Sequence, residues 1–453
     1  MRVLTVGAGI AGLAAAHAVH REAARRGIPL ELQVLESSGR PGGRVHTTEE
    51  DGYLVEWAAN GIQGLEPSVA ALLEDLGLAK ERVPARPESS RRYVYRNGRL
   101  HLLPLSPPAL LRFGGLTKAA RLRVLAEPLF ASRRDKDETV HEFAVRHVGA
   151  EAAAALVGTA VRGIFGGDAR KLSLDAAFPV MREMERKHRS LVIAMIRGKR
   201  TPGGRALWTF RGGMAQLVRA LADSLGPALR LDTPVLSLER VGEGARAPWA
   251  ATLASGERIQ GDAVLVAAPL SKAAALVRPL DRDLARPLAQ IPSASLAVVA
   301  LGFRPEAFRS RPDGYGFLVA PEEPLEILGA LCESNLWPGR APEGRILLRV
   351  MIGGSERPDL LTRSDADLVG LAMGALDRVW GLTSGPERTW VMRHVEAIPQ
   401  YPVGHRALLG AVAGRLDLQP GLYLTGNGYR GVSVGNLLED AARVAATLVE
   451  RAA

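Results

Sequence analysis

Arg2-Val-Leu-Thr-Val6, then Gly7-Ala-Gly9-Ile-Ala-Gly12, and after a gap Leu30-Glu-Leu-Gln-Val-Leu-Glu36, is the stretch whose reading decides the fold. Its first five residues predict a short buried strand, the alanine-rich run to about Arg26 a helix, and residues 30–36 a second strand parallel to the first. Together they make a βαβ unit of ordinary length. A GxGxxG in isolation is weak evidence. Here it leaves a strand and opens a helix, so each glycine has a physical task. Gly7 permits the tight turn, Gly9 lets backbone approach a pyrophosphate, and Gly12 allows close helix–strand packing, with Ile10 and Ala11 between them in the first turn. The pyrophosphate then meets free N–H groups at the positive end of the helix. Glu36 ends the second strand, beside Ser37, where its carboxylate can accept hydrogen bonds from ribose hydroxyls. A bare glycine turn in a doubly wound sheet is the alternative.

FAD and NAD share that pattern, and Arg40-Pro-Gly42-Gly43-Arg44 separates them. A second glycine pair lets backbone run beside an extended cofactor while a fixed cation, Arg44, faces its phosphates. NAD-only proteins have no need of it. A plain surface turn is the competing explanation.

Further along, Pro67 to Leu78 has helical periodicity, and Tyr93 to Leu102 is a hairpin turning at Asn97-Gly98. Alanine, leucine and arginine dominate from about 105 to 200 at helical spacings. After Gly203-Gly204 come a helix from near Gly213 to Leu225, short alternating runs at 235–239 and 249–253, and the apolar strand Ala263-Val-Leu-Val-Ala-Ala268. Strands occupy about 293–355, a helix 364–380, and the chain closes on a strand at 421–425 and a helix from about 434 to 451. The expected class is α/β with α+β insertions: a Rossmann-like FAD domain (1–85, 205–270 and 395–453), a mixed-sheet substrate domain (86–99 and 271–394) and a helical domain (100–204).

The chain has 453 residues, enough for two or three domains, and 47% of them are apolar. Its net charge of +10 comes almost wholly from arginine, since only seven of the 58 basic residues are lysine. A GC-rich genome explains part of that bias. The rest favours an anionic partner: a carboxylated substrate, a phosphate-bearing cofactor or an acidic membrane surface. Nucleic acid is disfavoured because the cations are dispersed and carry no recognisable motif. One cysteine, Cys332, excludes an intramolecular disulfide and a cysteine-only metal cluster, and no metal site is expected. It suits a reducing, cytoplasmic setting. The strand at residue 2 leaves no room for a signal peptide before the first motif, and no apolar run approaches the roughly 18 residues of a spanning helix.

The combination of Gly7-x-Gly9-x-x-Gly12, Glu36 and Gly42-Gly43-Arg44 resembles the superfamily of flavin amine oxidases, protoporphyrinogen oxidases and carotene desaturases. In that superfamily a C-terminal motif returns to the flavin ring, and Leu424-Thr-Gly426-Asn427-Gly-Tyr429-Arg-Gly431-Val432-Ser433-Val434 matches it. The resemblance implies that backbone at Gly426, Asn427 and Gly431 to Val434 passes under the isoalloxazine. The following helix then points its positive end at the flavin N1/O2 region, stabilising negative charge there. Val235 is implied as a further cofactor contact.

Several stretches are similar to the oxygen-dependent protoporphyrinogen oxidases in particular. They are Gly163-Ile-Phe-Gly-Gly-Asp168-Ala-Arg-Lys-Leu-Ser173, Phe178-Pro, Glu183 to Leu191, Arg92 to Leu100, Asp313-Gly-Tyr-Gly-Phe-Leu-Val319 and Pro399-Gln-Tyr-Pro-Val-Gly-His405. The likeness covers nearly the whole chain. It implies oxidation of protoporphyrinogen IX by hydride loss to flavin, with oxygen as acceptor and peroxide as by-product. Arg92 is implied as the partner of a porphyrin propionate and Asn60 as a substrate-side asparagine. The chemistry agrees: a flat apolar ring bearing propionates needs a cation for orientation and an apolar slot. A solvated strand arginine is the alternative for Arg92. No side chain is nominated as catalytic base, because the ring nitrogens can release protons to water.

The chain departs from that family at Ala58-Ala59, where Gly-Pro is common, and at Gly435-Asn-Leu-Leu-Glu439, where an Asn-Asp-Cys-Ile type of run is usual. Three rival readings stand beside it. Coproporphyrinogen III differs from protoporphyrinogen IX by propionates in place of vinyls. A flavin amine oxidase usually holds a lysine near the flavin, yet no lysine follows Lys272, and Tyr429 is a lone candidate for an aromatic cage. A partner-binding protein of the same fold, such as a Rab-binding dissociation inhibitor, would not keep the glycine pattern with Glu36 and Arg44. Finally, Leu102, Leu103, Leu105, Leu110, Leu111, Phe113, Leu116, Leu122, Val124, Leu125, Leu129 and Phe130 alternate with Arg112, Lys118, Arg121 and Arg123. That pattern predicts either peripheral contact with the inner face of the membrane or a helical core of its own.

Overall fold

Short apolar runs buried on both faces assemble into parallel sheets, and this one is built that way. The computed structural model describes residues 1–104, 106–197, 206–242, 244 and 247–452; Leu105, Gly203 and Gly204 lie outside them. Five parallel strands lie side by side in the order Leu229–Arg230, Glu31–Leu35, Arg2–Val6, Ala263–Val266 and Leu422–Leu424. On one side, the helices Ile10–Arg25 and Val434–Ala452 pack with Ala215–Leu225 around Leu13, Leu217, Leu221 and Leu438. On the other, an antiparallel sheet of Val235–Arg240, Trp249–Leu253 and Arg258–Gly261 closes the core around fully buried Trp249.

The second large sheet has seven strands, in the order Arg388–Pro399, Ser293–Phe303, Ile346–Gly353, Gly329–Cys332, Gly316–Val319, Arg92–Arg96 and Arg99–Leu102. The hairpin turns at Asn97-Gly98, both with positive φ (53° and 72°), as the sequence predicts. One face carries Val299, Leu301, Phe317, Leu348 and Val350 against the helix Asp365–Trp380. The other carries Leu296, Val298, Ala300 and Leu347 against Tyr53 and Val55, from the strand that follows the cofactor loops.

The segment between residues 107 and 197 is helical, and a buried ionic cluster holds it together. Arg182, at 1% exposure, donates to Asp175 (2.6 Å) and Glu185 (2.5 Å). Glu185 and Glu127 face the two ring nitrogens of buried His147 at 3.3 and 2.6 Å. Glu127 also accepts the backbone N–H of Leu191 (3.0 Å) and the Ser190 hydroxyl, tying the helix Leu191–Arg197 to the rest. Among the described residues, no helix is long and apolar enough to cross a membrane.

Replacing Arg182 by Met leaves buried Asp175 without its cation and takes one partner each from Glu138 and Glu185, which keep Arg146 at 2.5 and 2.6 Å. The expected cost is about 3–5 kcal/mol, read as a lowered urea midpoint in far-UV circular dichroism.

Candidate functional site

The two glycine loops meet backbone to backbone. Gly42 N–H donates to Ala8 C=O at 2.7 Å, and Gly9 and Gly42 form an isolated parallel bridge. A Cβ on Gly12 would stand 2.0 Å from Gly7 O, and one on Gly42 2.6 Å from Val45 O. A Cβ on Gly9 would meet nothing within 4 Å. Gly9 is therefore the glycine of the pattern that faces open space, as it must to let a pyrophosphate reach backbone. The helix it precedes, with Ile10 and Ala11 buried in its first turn, has no side-chain cap and no acid there. Its free N–H groups and positive end fit a phosphate-bearing cofactor.

Glu36, at 8% exposure, braces these loops. One oxygen accepts Ala8 N–H (2.7 Å); the other accepts Ser38 N–H (2.9 Å) and, more weakly, the Ser37 hydroxyl (3.3 Å). Its own C=O takes Thr233 N–H, which positions Val235 two residues on, at the start of the antiparallel sheet. Arg44 does something the sequence did not predict. Its guanidinium donates to the carbonyls of Val395 and Glu396 (3.2 and 2.7 Å), clamping the cofactor loop to the end of the seven-stranded sheet. Burial pushes its pKa down, against the pull of Glu396.

At the C-terminal turn, Thr425 and Arg430 both bond to buried Asp440, and Ser433 caps the last helix by accepting Asn436 N–H (3.1 Å). Asn427 Nδ2 donates to Ala397 C=O (3.1 Å). Gly426, Gly431, Val432 and Val434 thus line a turn bounded by the sheet end and the helix start. Tyr429 is 7% exposed and packs with Leu270 and Leu424, so it offers no open aromatic wall.

Register places Arg92, expected to meet substrate, in the seven-stranded sheet. Ala300, Arg349, Leu331, Gly316 and Arg92 form one transverse row across five strands. Arg349 and Arg92 therefore leave the sheet on one face, the face toward Tyr53 and Val55, roughly 14 Å apart along the row. Arg92 lies over the Tyr315 ring at 4.5 Å and has no carboxylate partner among the described residues. By contrast, Arg91 pairs with Asp313 (2.7 Å) and Arg349 with Glu333 (2.9 Å). Asn60 Nδ2 donates to the same Glu333 oxygen (3.0 Å), while the other oxygen is buried without a partner among the described residues. Cys332 N–H bonds Tyr315 C=O (2.9 Å), so Glu333 and Asn60 border the ground beneath Arg92.

Behind Asn60, Glu56 is 1% exposed. It accepts Met214 N–H (2.8 Å) and the Thr47 hydroxyl (2.8 Å), with Arg340 at 3.5 Å. Burial raises its pKa to about 7 despite Arg340.

Glu333, Arg349 and Tyr315 escaped the sequence reading. A lone arginine inside Ile346-Leu-Leu-Arg-Val-Met-Ile352 was the available signal, because a charge in an apolar strand must find a partner.

Residues 10–449 match the family described as flavin containing amine oxidoreductase. A coproporphyrinogen III oxidase of Bacillus subtilis is 30% identical over 96% of this chain and 95% of its own length. A protoporphyrinogen oxidase of Bos taurus is 32% identical over 99% and 98%. A crystal structure from Exiguobacterium sp. 255-15, provisionally named a protoporphyrinogen oxidase, superposes with a TM-score of 0.85 at 25% identity, covering 99% of this chain and 98% of that one.

Gly9→Ala should fold normally but lose about 1–3 kcal/mol of FAD binding, roughly 5- to 150-fold, in fluorescence titration of the apoprotein. Gly12→Ala should fail to accumulate as folded protein. Glu56 keeps its proton in the folded state up to about pH 7, whereas the unfolded chain releases it near 4.5. It therefore subtracts stability as pH rises through that window. The stability of Glu56→Gln relative to the parent should grow by about 3 kcal/mol between those pH values and stay level above, measured by urea unfolding.

Proposed function

Since the chain belongs to the flavin-containing amine oxidoreductase family, and is an FAD-dependent oxidoreductase, we propose that it oxidises protoporphyrinogen IX to protoporphyrin IX, with oxygen as the final acceptor. The observation that carries the choice of substrate is Arg92. Among the described residues it is a guanidinium without a carboxylate partner, propped on an aromatic ring, on the sheet face that also carries the Arg349–Glu333 pair.

When bound, the flavin supplies a hydride acceptor. The residues of this chain do the rest. Gly9 and the uncapped helix start receive the pyrophosphate, Glu36 and the Ser37–Ser38 turn face the ribose, and Val235 flanks the adenine end. The turn through Gly426, Asn427, Gly431, Val432, Ser433 and Val434 carries the ring. Arg92 takes a propionate, and Asn60, fixed by Glu333, holds the macrocycle in register over the ring. Hydride leaves a methylene carbon and a proton leaves a pyrrole nitrogen to water, repeated until the macrocycle is aromatic. The electrons pass to oxygen, giving peroxide.

Two propionates on one side of protoporphyrinogen IX suit a single unpaired cation. Coproporphyrinogen III carries four, whereas Arg349 is paired with Glu333, Arg91 with Asp313 and Arg162 with Glu356. The amine oxidase alternative finds no support at Tyr429, which is enclosed in the core, nor at Lys272, which is exposed on the helix Leu270–Val277.

We also propose a three-part division into FAD, substrate and helical domains, with the helical part touching a membrane surface. Leu102, Leu111, Leu122, Leu129 and Phe130 are all more than half exposed, whereas Leu110, Phe113 and Leu116 form a core. Exposed leucines beside Arg112 and Lys118 suit an anionic interface.

Anaerobic mixing with each porphyrinogen, followed by flavin absorbance, tests the substrate. Rapid bleaching by protoporphyrinogen IX is expected; bleaching only by coproporphyrinogen III, or only by amines, would replace this reading. Arg92→Leu should raise KM for protoporphyrinogen IX about 10- to 100-fold with little change in kcat, the loss of one shielded charge-assisted bond of about 1.5–3 kcal/mol. Co-sedimentation with anionic liposomes at low salt should carry the protein to the pellet; full recovery in the supernatant refutes the membrane surface.

A further inference from the structure

We propose that Tyr401 is a positioning residue for the flavin, whose hydroxyl pins both ends of the C-terminal glycine turn and makes the seating of the ring depend on the helical part of the protein. The proposal rests on the flavin reading of that turn.

One phenol makes two backbone bonds. Its O–H donates to Asn427 C=O at 2.5 Å, and its oxygen accepts Gly431 N–H at 3.1 Å. These two groups bracket the turn between the strand Leu422–Leu424 and the helix Val434–Ala452. Gly426 and Gly431 both adopt positive φ there, 131° and 123°, so the turn has conformational freedom that other residues would lack. Within the turn itself there is a single long backbone bond, Tyr429 N–H to Gly426 C=O at 3.3 Å. Tyr401 supplies the restraint the turn does not supply for itself. Because Gly431 lies three residues before the last helix, the same bond also sets where the positive end of that helix stands.

Tyr401 is itself held from the helical side. Ser173 N–H donates to Tyr401 C=O (2.8 Å), and Leu172 and Pro402 form an isolated bridge. Asp137 accepts both the Ser173 hydroxyl (2.8 Å) and Gly404 N–H (3.0 Å). The ring packs edge-on to Phe165 and stacks on His405, with centroids 4.3 Å apart. Both ring nitrogens of His405 are buried without partners among the described residues, and burial pushes its pKa down to about 4. His405 is thus a neutral packing plate, and the phenol is the polar group that crosses from this joint to the turn. A phenylalanine would fill the same space. The two hydrogen bonds are what the tyrosine adds.

Tyr401→Phe keeps the ring and removes both bonds. The expected result is FAD release from the holoprotein about tenfold faster, by fluorescence after dilution, the effect of two backbone groups left unpaired. The midpoint potential of the bound flavin should fall, because the helix end that favours negative charge is no longer fixed. Tyr401→Leu, which also removes the ring, should release FAD at least as fast. A Phe variant with unchanged release and potential overturns the proposal, most plainly if the Leu variant alone releases FAD quickly, since packing is then the whole role. An equal loss of melting temperature with and without FAD, at unchanged potential, overturns it too. A wild-type protein that binds no FAD overturns both this and the flavin reading; a yellow wild type with an unaltered Phe variant overturns this alone.

Discussion

The close approach of two backbones at Gly9, Gly42 and Gly43 is the constraint on which the rest of the site depends. A Cβ on Gly43 would lie 3.2 Å from the Gly9 Cα, and Gly42 N–H already bonds Ala8 C=O. With the second loop locked on the first, the chain leaving it can aim only one way, and Arg44 reaches across to Val395 and Glu396. That reach crosses from the nucleotide-binding sheet to the edge strand of the seven-stranded one. The two sheets are thereby held in one frame by an arginine whose position two glycines dictate.

Beyond that frame, the site is made by register more than by proximity in sequence. Arg92 and Arg349 sit 257 positions apart yet project from one row of one sheet face. They play opposite parts because of what lies beside each. Glu333 pairs with the Arg349 guanidinium at 2.9 Å, and the carbonyls of Glu56 and Ala58 accept from its Nη1 (3.1 and 2.5 Å). Arg92 has the face of Tyr315, which steadies a cation without neutralising it. The Ala58 carbonyl anchors the arginine that pairs with Glu333, and Glu333 orients Asn60; as a backbone contact it is open to any residue at 58.

The parts of the fold legible beforehand were those with a local signature. The glycine loop between strand and helix, the Asn97-Gly98 hairpin and the helices Asp365–Trp380 and Val434–Ala452 all carry their pattern within a dozen or so residues. Helix Arg282–Ala289 contains Pro287, and strand Arg388–Pro399 mixes three charged residues with a bulge where Glu396 takes a φ of 49°, so neither shows a clean period. The same distinction holds for the site. Gly9, Glu36 and the C-terminal turn are local motifs, whereas Glu333 and Arg349 act through Asn60, Glu56 and Ala58, 273 to 293 residues away, and Tyr401 through turn bonds 26 and 30 residues on that only the folded chain creates. Arg44 shows the limit from the other side: its place in the motif was legible, but its partner was a pair of carbonyls some 350 residues on.

Composition misleads in a related way. A net charge of +10 invites the search for an anionic partner, yet the best-buried arginines are spent inside the fold. Arg182 serves three carboxylates in the helical part, Arg340 stands by Glu56, and Arg349 meets Glu333. Each desolvated guanidinium is tolerable only because fixed acceptors surround it, so none is available to a ligand. What the excess charge can do for function depends on the few cations left over at an apolar rim, and there the geometry selects. Arg92 has a ring beneath it and, among the described residues, no acid beside it; Arg91, next in sequence, turns to Asp313. One residue of offset along a strand separates a guanidinium paired with an acid from one left without, because alternate residues leave a strand on opposite faces.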